Sequence, residues 1–167
     1  MELLNKKQLL ITALLALALG MQAQVNPSQI FANSYGYESS GDYQKAIDEL
    51  TALSGYDYHK ALRLGWLYYL SKDFTNSEKY YNQAINLAPK AVEALLGMCY
   101  PLEAQKRTDE LEVVYKKILA LDKTNSKINY ALGNIYYYKK DFIRAEKYYD
   151  LVHSMYPFDY YSTLMSA

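Results

Sequence analysis

The residue types that most often carry chemistry are sparse in this chain and poorly placed for it. Three aspartates, Asp42, Asp73 and Asp141, sit in the similar contexts Gly-Asp-Tyr, Lys-Asp-Phe and Lys-Asp-Phe. Recurring acids invite a metal reading, but Ca²⁺ takes six to eight converging oxygens, and these three lie in separate loops 31 and 68 residues apart. One acid at the start of a helix is what N-capping needs, since a carboxylate accepts from free backbone N–H groups and faces the positive end of the helix dipole. Capping is therefore their expected role. His59 and His153, the two histidines, have no Ser or Cys partner at a nearby helical spacing. A single cysteine, Cys99, excludes both a disulfide framework and a Cys/His zinc site. No Gly-x-Ser-x-Gly, glycine-rich phosphate loop or His-Glu-x-x-His occurs. The expectation is a chain with no catalytic, cofactor-binding or metal-binding residues: no cofactor, and not an enzyme.

What the chain has instead is tyrosine, 20 of 167 residues against four Phe, one Trp and seven Gly. Lys plus Arg and Asp plus Glu are both 18, a formal net charge of zero. That argues against a nucleic-acid partner, because phosphate binding takes clustered basic residues. A hydrophobic content of 51% supports one core, and the length one domain. Residues 1–23 stand apart from it. Lys6 and Lys7 precede an uncharged apolar run from Leu9 to Leu19, and small residues follow. This is the layout of a secretory signal peptide, with cleavage after Gly20 or after Ala23. The apolar run falls short of the about 20 residues a membrane span requires, so no integral membrane segment is expected after cleavage. Removing residues 1–23 takes Lys6, Lys7 and Glu2 and leaves 16 basic and 17 acidic residues, a net charge of −1. The expected location is outside the cytoplasm, periplasmic or extracellular, at a bacterial cell envelope.

The elements that position the remaining residues show in a self-similarity. Leu64 to Pro89 and Leu132 to Pro157 align without a gap at an offset of 68 residues, sharing Leu-Gly, Tyr-Tyr, Lys-Asp-Phe, Glu-Lys-Tyr-Tyr and a final Pro. Half that offset is 34, the length of a tetratricopeptide repeat. Numbered from 1 to 34, the unit from Tyr58 to Ala91 carries Leu64 at 7, Gly65 at 8, Tyr68 at 11, Ser77 at 20, Tyr81 at 24, Ala84 at 27 and Pro89 at 32. The unit from Ser126 to Asp159 carries Leu132, Gly133, Tyr136, Ala145, Tyr149, Val152 and Pro157 at the same positions. On these residues the chain resembles the tetratricopeptide repeat (TPR) family. The unit from Val92 to Asn125 is weaker, with Cys99 at 8, Tyr115 at 24 and Lys123 in place of the proline. The first unit, 27–57, is three residues short and has Asn33 where Leu is expected. The array therefore reads as 27–57, 58–91, 92–125 and 126–159 within a domain of 24–167.

The resemblance implies an all-α fold, a right-handed α-solenoid of about four antiparallel helix pairs, A and B, with the A helices lining a concave face. Small residues at 8, 20 and 27 let helices approach closely, and aromatics at 11, 17 and 24 fill the space around them. Seven tyrosines take those core positions: Tyr37, Tyr43, Tyr68, Tyr81, Tyr115, Tyr136 and Tyr149. Cys99, at a small position, is expected as a buried filler, the alternative being an intermolecular disulfide. Pro101 falls inside the third A helix, and a kink is expected between Gly97 and Pro101. A rival register would set Gly97 and Tyr100 at positions 8 and 11, with two extra residues before helix B. The in-phase register keeps both flanking units at 34 and is preferred.

In the family, A-helix positions 2, 5, 9, 12 and 13 face the groove. Carried over, they give a partner-binding groove of Phe31, Tyr35, Leu62, Trp66, Tyr69, Leu96, Tyr100, Tyr130, Asn134, Tyr137 and Tyr138, with Glu103 and Lys127 beside them. Large aromatic area with a polar handle suits binding. The carboxylate clamp of one TPR subgroup is not assembled, because Tyr130 and Leu96 stand at position 5 and Tyr100 at 9. The resemblance implies an exported scaffold that binds a protein or peptide. The alternative is a glycan-binding or cell-envelope assembly accessory. Residues 160–167 begin a fifth unit or form a terminal helix without a charged residue. That uncharged edge predicts either a truncated chain or self-association.

Overall fold

The computed structural model describes residues 26–55 and 57–156, and within them the chain forms eight α-helices and no strand. They are α1 (Pro27–Ser39), α2 (Tyr43–Ala52), α3 (Asp57–Leu70), α4 (Phe74–Leu87), α5 (Val92–Ala104), α6 (Thr108–Leu121), α7 (Ser126–Tyr138) and α8 (Phe142–Met155). At 10 to 14 residues each, they are marginal alone in water and depend on packing. Each packs on the next in sequence, and α3 also reaches α5. The leader expected at 1–23 and the segment 160–167 lie outside the described residues. No described helix is long and apolar enough to cross a membrane.

The odd-numbered helices end in one way. The residue two past the end of each takes a left-handed conformation: Gly41 (φ 80°), Lys72 (64°), Lys106 (57°) and Lys140 (59°). Its N–H donates to the carbonyl three residues back, and the next N–H to the carbonyl five back. Lys72 donates to Tyr69 and Asp73 to Tyr68, both at 2.9 Å. This Schellman pair satisfies carbonyls the helix leaves free. The residue that completes it is Asp42, Asp73, Arg107 or Asp141, and it is also the N-cap of the following helix. Asp73 and Asp141 cap with their carboxylates, accepting from the backbone N–H of Asn76 and of Arg144 at 3.1 Å. Asp42 makes no such bond and pairs with Lys45 at 2.8 Å. The left-handed residues are spaced 31, 34 and 34. The first unit is thus the short one, and the third keeps the 34-residue phase with no insertion before its second helix.

Close approach between helices is made at glycine. The Tyr81 ring is 2% exposed. A Cβ on Gly65 would stand 2.9 Å from that ring, and one on Gly97 only 2.1 Å from its Cε1. Gly133 holds Tyr149 in the same way, at 2.4 Å. Burial pushes the Tyr81 hydroxyl well above the usual tyrosine range, and that of Tyr149 up to about 12. Behind these contacts, Tyr68 stacks on Tyr80 (5.3 Å, 6°) and Tyr136 on Tyr148 (5.7 Å, 3°), the same pair 68 residues apart. The α5 helix is continuous through Pro101, whose ring is fully buried. Gly97 makes the close contact with Tyr81. Of the seven tyrosines assigned to the core, Tyr81, Tyr115, Tyr136 and Tyr149 are buried, while Tyr37, Tyr43 and Tyr68 are half-buried.

Candidate partner-binding face

The residues expected on the groove fall into three groups. The first lies between α1 and α3, where Phe31, Tyr35, Leu62 and Trp66 line a cavity of about 750 Å³ together with Pro27, Ser28, Ala32, His59 and Arg63. Trp66 then joins the second group. Its ring centroid is 5.5 Å from that of Tyr69 and 5.4 Å from that of Tyr100, and Tyr69 and Tyr100 are 5.3 Å apart. The tilted and edge-on geometry suits the aromatic quadrupole. This triad bridges α3 and α5. The third group lies at the far end. Tyr137 meets Tyr138 at 5.8 Å and Phe142 at 5.7 Å, and Tyr138 is 82% exposed.

Three expected residues are placed differently. Leu96 is half-buried against the main hydrophobic cluster, as is Tyr130, whose ring lies 5.8 Å from that of Tyr149. Asn134 accepts from the Tyr149 hydroxyl at 2.8 Å. Tyr130 and Asn134 thus join α7 to α8, and Leu96 packs from α5 on the core. Glu103 accepts from the Tyr115 hydroxyl at 2.6 Å. Burial, and then this bond, raise the Tyr115 hydroxyl far above its ordinary value.

The polar centre of the first group was not foreseen. Arg63 is 7% exposed and forms an ion pair through Nη1 with Glu38 Oε2. The other carboxylate oxygen of Glu38 accepts from Trp66 Nε1 at 2.8 Å. The Tyr35 ring lies over the guanidinium, 3.9 Å from its carbon, a cation–π contact. One signal for Arg63 existed in the sequence. Its equivalents one and two units on are Gly97 and Ala131, so a long cation stands where the later units keep a small residue. Phe74 and Phe142 were also missed. They open α4 and α8 at equivalent positions and contact Tyr69 (6.2 Å, tilted) and Tyr137 (5.7 Å, edge-on).

Cys99 is buried and donates from Sγ to the Leu95 carbonyl at 3.3 Å. Burial pushes its thiol up to about 12, which holds it protonated and unreactive. Among the described residues, no three His, Cys, Asp or Glu side chains converge as a metal site would require.

A tetratricopeptide repeat model matches residues 61–91 and 126–159, which include most of α3, all of α4, and α7 and α8. No curated protein matches the chain by sequence. Among solved structures, a tetratricopeptide repeat protein from Parabacteroides merdae superposes with a TM-score of 0.74 at 17% identity, over 83% of this chain and 56% of that one. The C-terminal part of a TPR repeat-containing protein from Cytophaga hutchinsonii gives 0.73 at 15% identity, over 83% and 59%. MamA gives 0.69 at 15%, over 83% and 78%. The chain thus spans a little over half the length of the first two, and at these identities the likeness is one of fold. The chain thus carries tetratricopeptide repeats at 61–91 and 126–159, and its described residues share the fold of those repeat proteins.

Proposed function

We propose that the chain is an exported, non-catalytic scaffold that binds a protein or peptide segment along the concave aromatic face of its A helices. Proteins of this fold generally hold protein partners. The observation that carries the reading here is the continuity of the first two aromatic groups. The cavity between α1 and α3 and the Trp66–Tyr69–Tyr100 triad share the Trp66 ring. They give one preformed apolar strip that a segment can occupy without large rearrangement. The exposed Tyr137, Tyr138 and Phe142 would extend it over the fourth helix pair. Export rests on the leader-like residues 1–23, with the envelope of a bacterial cell as the place of action.

The test is partner capture by the full chain from an envelope extract, with the bound protein identified and then titrated as a pure component. Trp66→Ala should weaken the interaction by at least about tenfold, the range of a central aromatic anchor. Tyr137→Ala should weaken it less, since that ring is already half in solvent. Affinity unchanged by both substitutions would remove the face as the binding surface.

A further inference from the structure

Arg63, which lines the cavity between α1 and α3, carries hydrogen-bonding capacity that the fold does not use. Arg63 Nη1 engages Glu38, but Nε and Nη2 are buried without a hydrogen-bond partner. Those two nitrogens form one edge of the guanidinium, with their N–H bonds parallel and in plane. It is the edge that takes a carboxylate in a two-pronged grip. Leaving such donors buried and unmet is costly, and native structures rarely do so without reason. On the same helix as Glu38 and one turn before it, Ser34 Oγ is also buried and unmet.

The walls narrow the choice of ligand. Phe31, Ala32, Leu62 and Trp66 are apolar or aromatic, so the acceptor arrives attached to an apolar group. Arg63 is the only Lys or Arg among the lining residues, and Glu38 already offsets its charge. A dianionic phosphate would find too little positive charge, whereas a carboxylate matches the two donors in number and shape. Trp66, which lines the cavity, also packs against Tyr69 and Tyr100 outside it, and this aromatic surface favours a segment that passes along the face over one that ends in the cavity. Tyr35 is 57% exposed and lies on the guanidinium. Turning it outward uncovers the cation at the loss of one cation–π contact.

We propose that the Nε–Nη2 edge of Arg63 binds the side-chain carboxylate of an Asp or Glu flanked by apolar residues in the partner's segment, with Tyr35 as the ring that moves aside. This rests on the partner-binding reading above and adds the partner's chemistry to it.

Trp66 is the one tryptophan in the chain and lines the cavity, so its emission reports occupancy directly. The full chain is titrated with an acetylated, amidated Leu-Asp-Leu peptide and with its Leu-Asn-Leu copy. The Asp peptide should bind about tenfold tighter, the increment of a charge-assisted two-pronged pair. The double variant Glu38→Gln with Arg63→Met removes both charges together, leaves no buried ion alone, and should erase the difference. Tyr35→Ala should preserve it. Equal affinity for the two peptides overturns the proposal, as does a preference that survives the double variant. Tighter binding of a Leu-Asn-Leu peptide with a free C-terminus overturns it by assigning the edge to chain ends. If neither peptide binds while Trp66→Ala and Tyr137→Ala still weaken the identified partner, the Arg63 proposal falls and the partner-binding face stands.

Discussion

At the scale of single residues, the fold depends on where side chains are withheld. Tyr81 is confined between Gly65 and Gly97, so neither side offers it room to retreat. Gly97→Ala sets a methyl 2.1 Å from its Cε1. The substitution should destabilise the chain by about 1–3 kcal/mol, the cost of overpacking a closed core. Gly36 provides the contrast, with nothing within 4 Å of an added Cβ and no positive φ. Gly36→Ala in α1 should therefore stabilise by about 0.5–1 kcal/mol through lost unfolded-state freedom. Paired urea midpoints settle the matter, and a Gly97→Ala midpoint at or above the parent's would refute this account of Gly97. The core tyrosines were readable in the sequence because size at a fixed repeat position dictates burial. Tyr81, Tyr136 and Tyr149 sit where they were expected. Arg63 was not readable by that route. Its burial depends on Glu38, Trp66 and Tyr35 meeting it from positions 25, 3 and 28 residues away, and two of those lie in the divergent first unit.

At the scale of elements, the repeat length sets the helices and the turns between them, and the turns carry strain of their own. Four left-handed residues close the odd-numbered helices, and three of them are lysines. A lysine held there loses the backbone freedom that glycine has at positive φ. Lys72→Gly should raise stability by about 0.5–1 kcal/mol, strain relief less the entropy a glycine adds to the unfolded chain. Lys79→Gly, inside α4, should lower it by about 1 kcal/mol. A thermal melt of the two variants against the parent reads both signs, and a stability loss at Lys72 would show that its side chain, not its backbone, matters there. The helix boundaries were legible because Lys-Asp-Phe recurs where the turn recurs. The turn's Gly41 declares its conformation by residue type, whereas Lys72, Lys106 and Lys140 do not. Sequence pattern placed the turn and left its backbone hidden. The same limit applies to Asp42, which occupies the cap position without making the cap bond that Asp73 and Asp141 make.

At the scale of the molecule, a stack of units that touch only their neighbours is as strong as its weakest junction. Glu112 on α6 is a principal tie across the last one. It accepts from the Tyr136 hydroxyl on α7 at 2.6 Å and from Lys139 at 2.7 Å, and from Lys116 on its own helix at 2.6 Å. The bonds from Lys116, Lys139 and Tyr136 hold its carboxyl down to about 2, against an ordinary value of 4.5. A carboxylate depressed in the folded state contributes stability that is fully present above its unfolded value and lost as pH falls through the folded one. The junction should therefore weaken between about pH 4.5 and pH 2, as Tyr136 loses its acceptor on α6 and Lys139 is left with Asp109 there. Glu112→Gln mimics the protonated state at neutral pH and should flatten the pH dependence of the urea midpoint across that window. Because units couple only to neighbours, the loss should also be local. Amide exchange in α7 and α8 should speed up in the variant at neutral pH, while protection in α3 and α4 stays as in the parent. A uniform rise in exchange would mean that the chain unfolds as one cooperative block, and the tie at Glu112 would then stabilise the whole stack rather than its last pair.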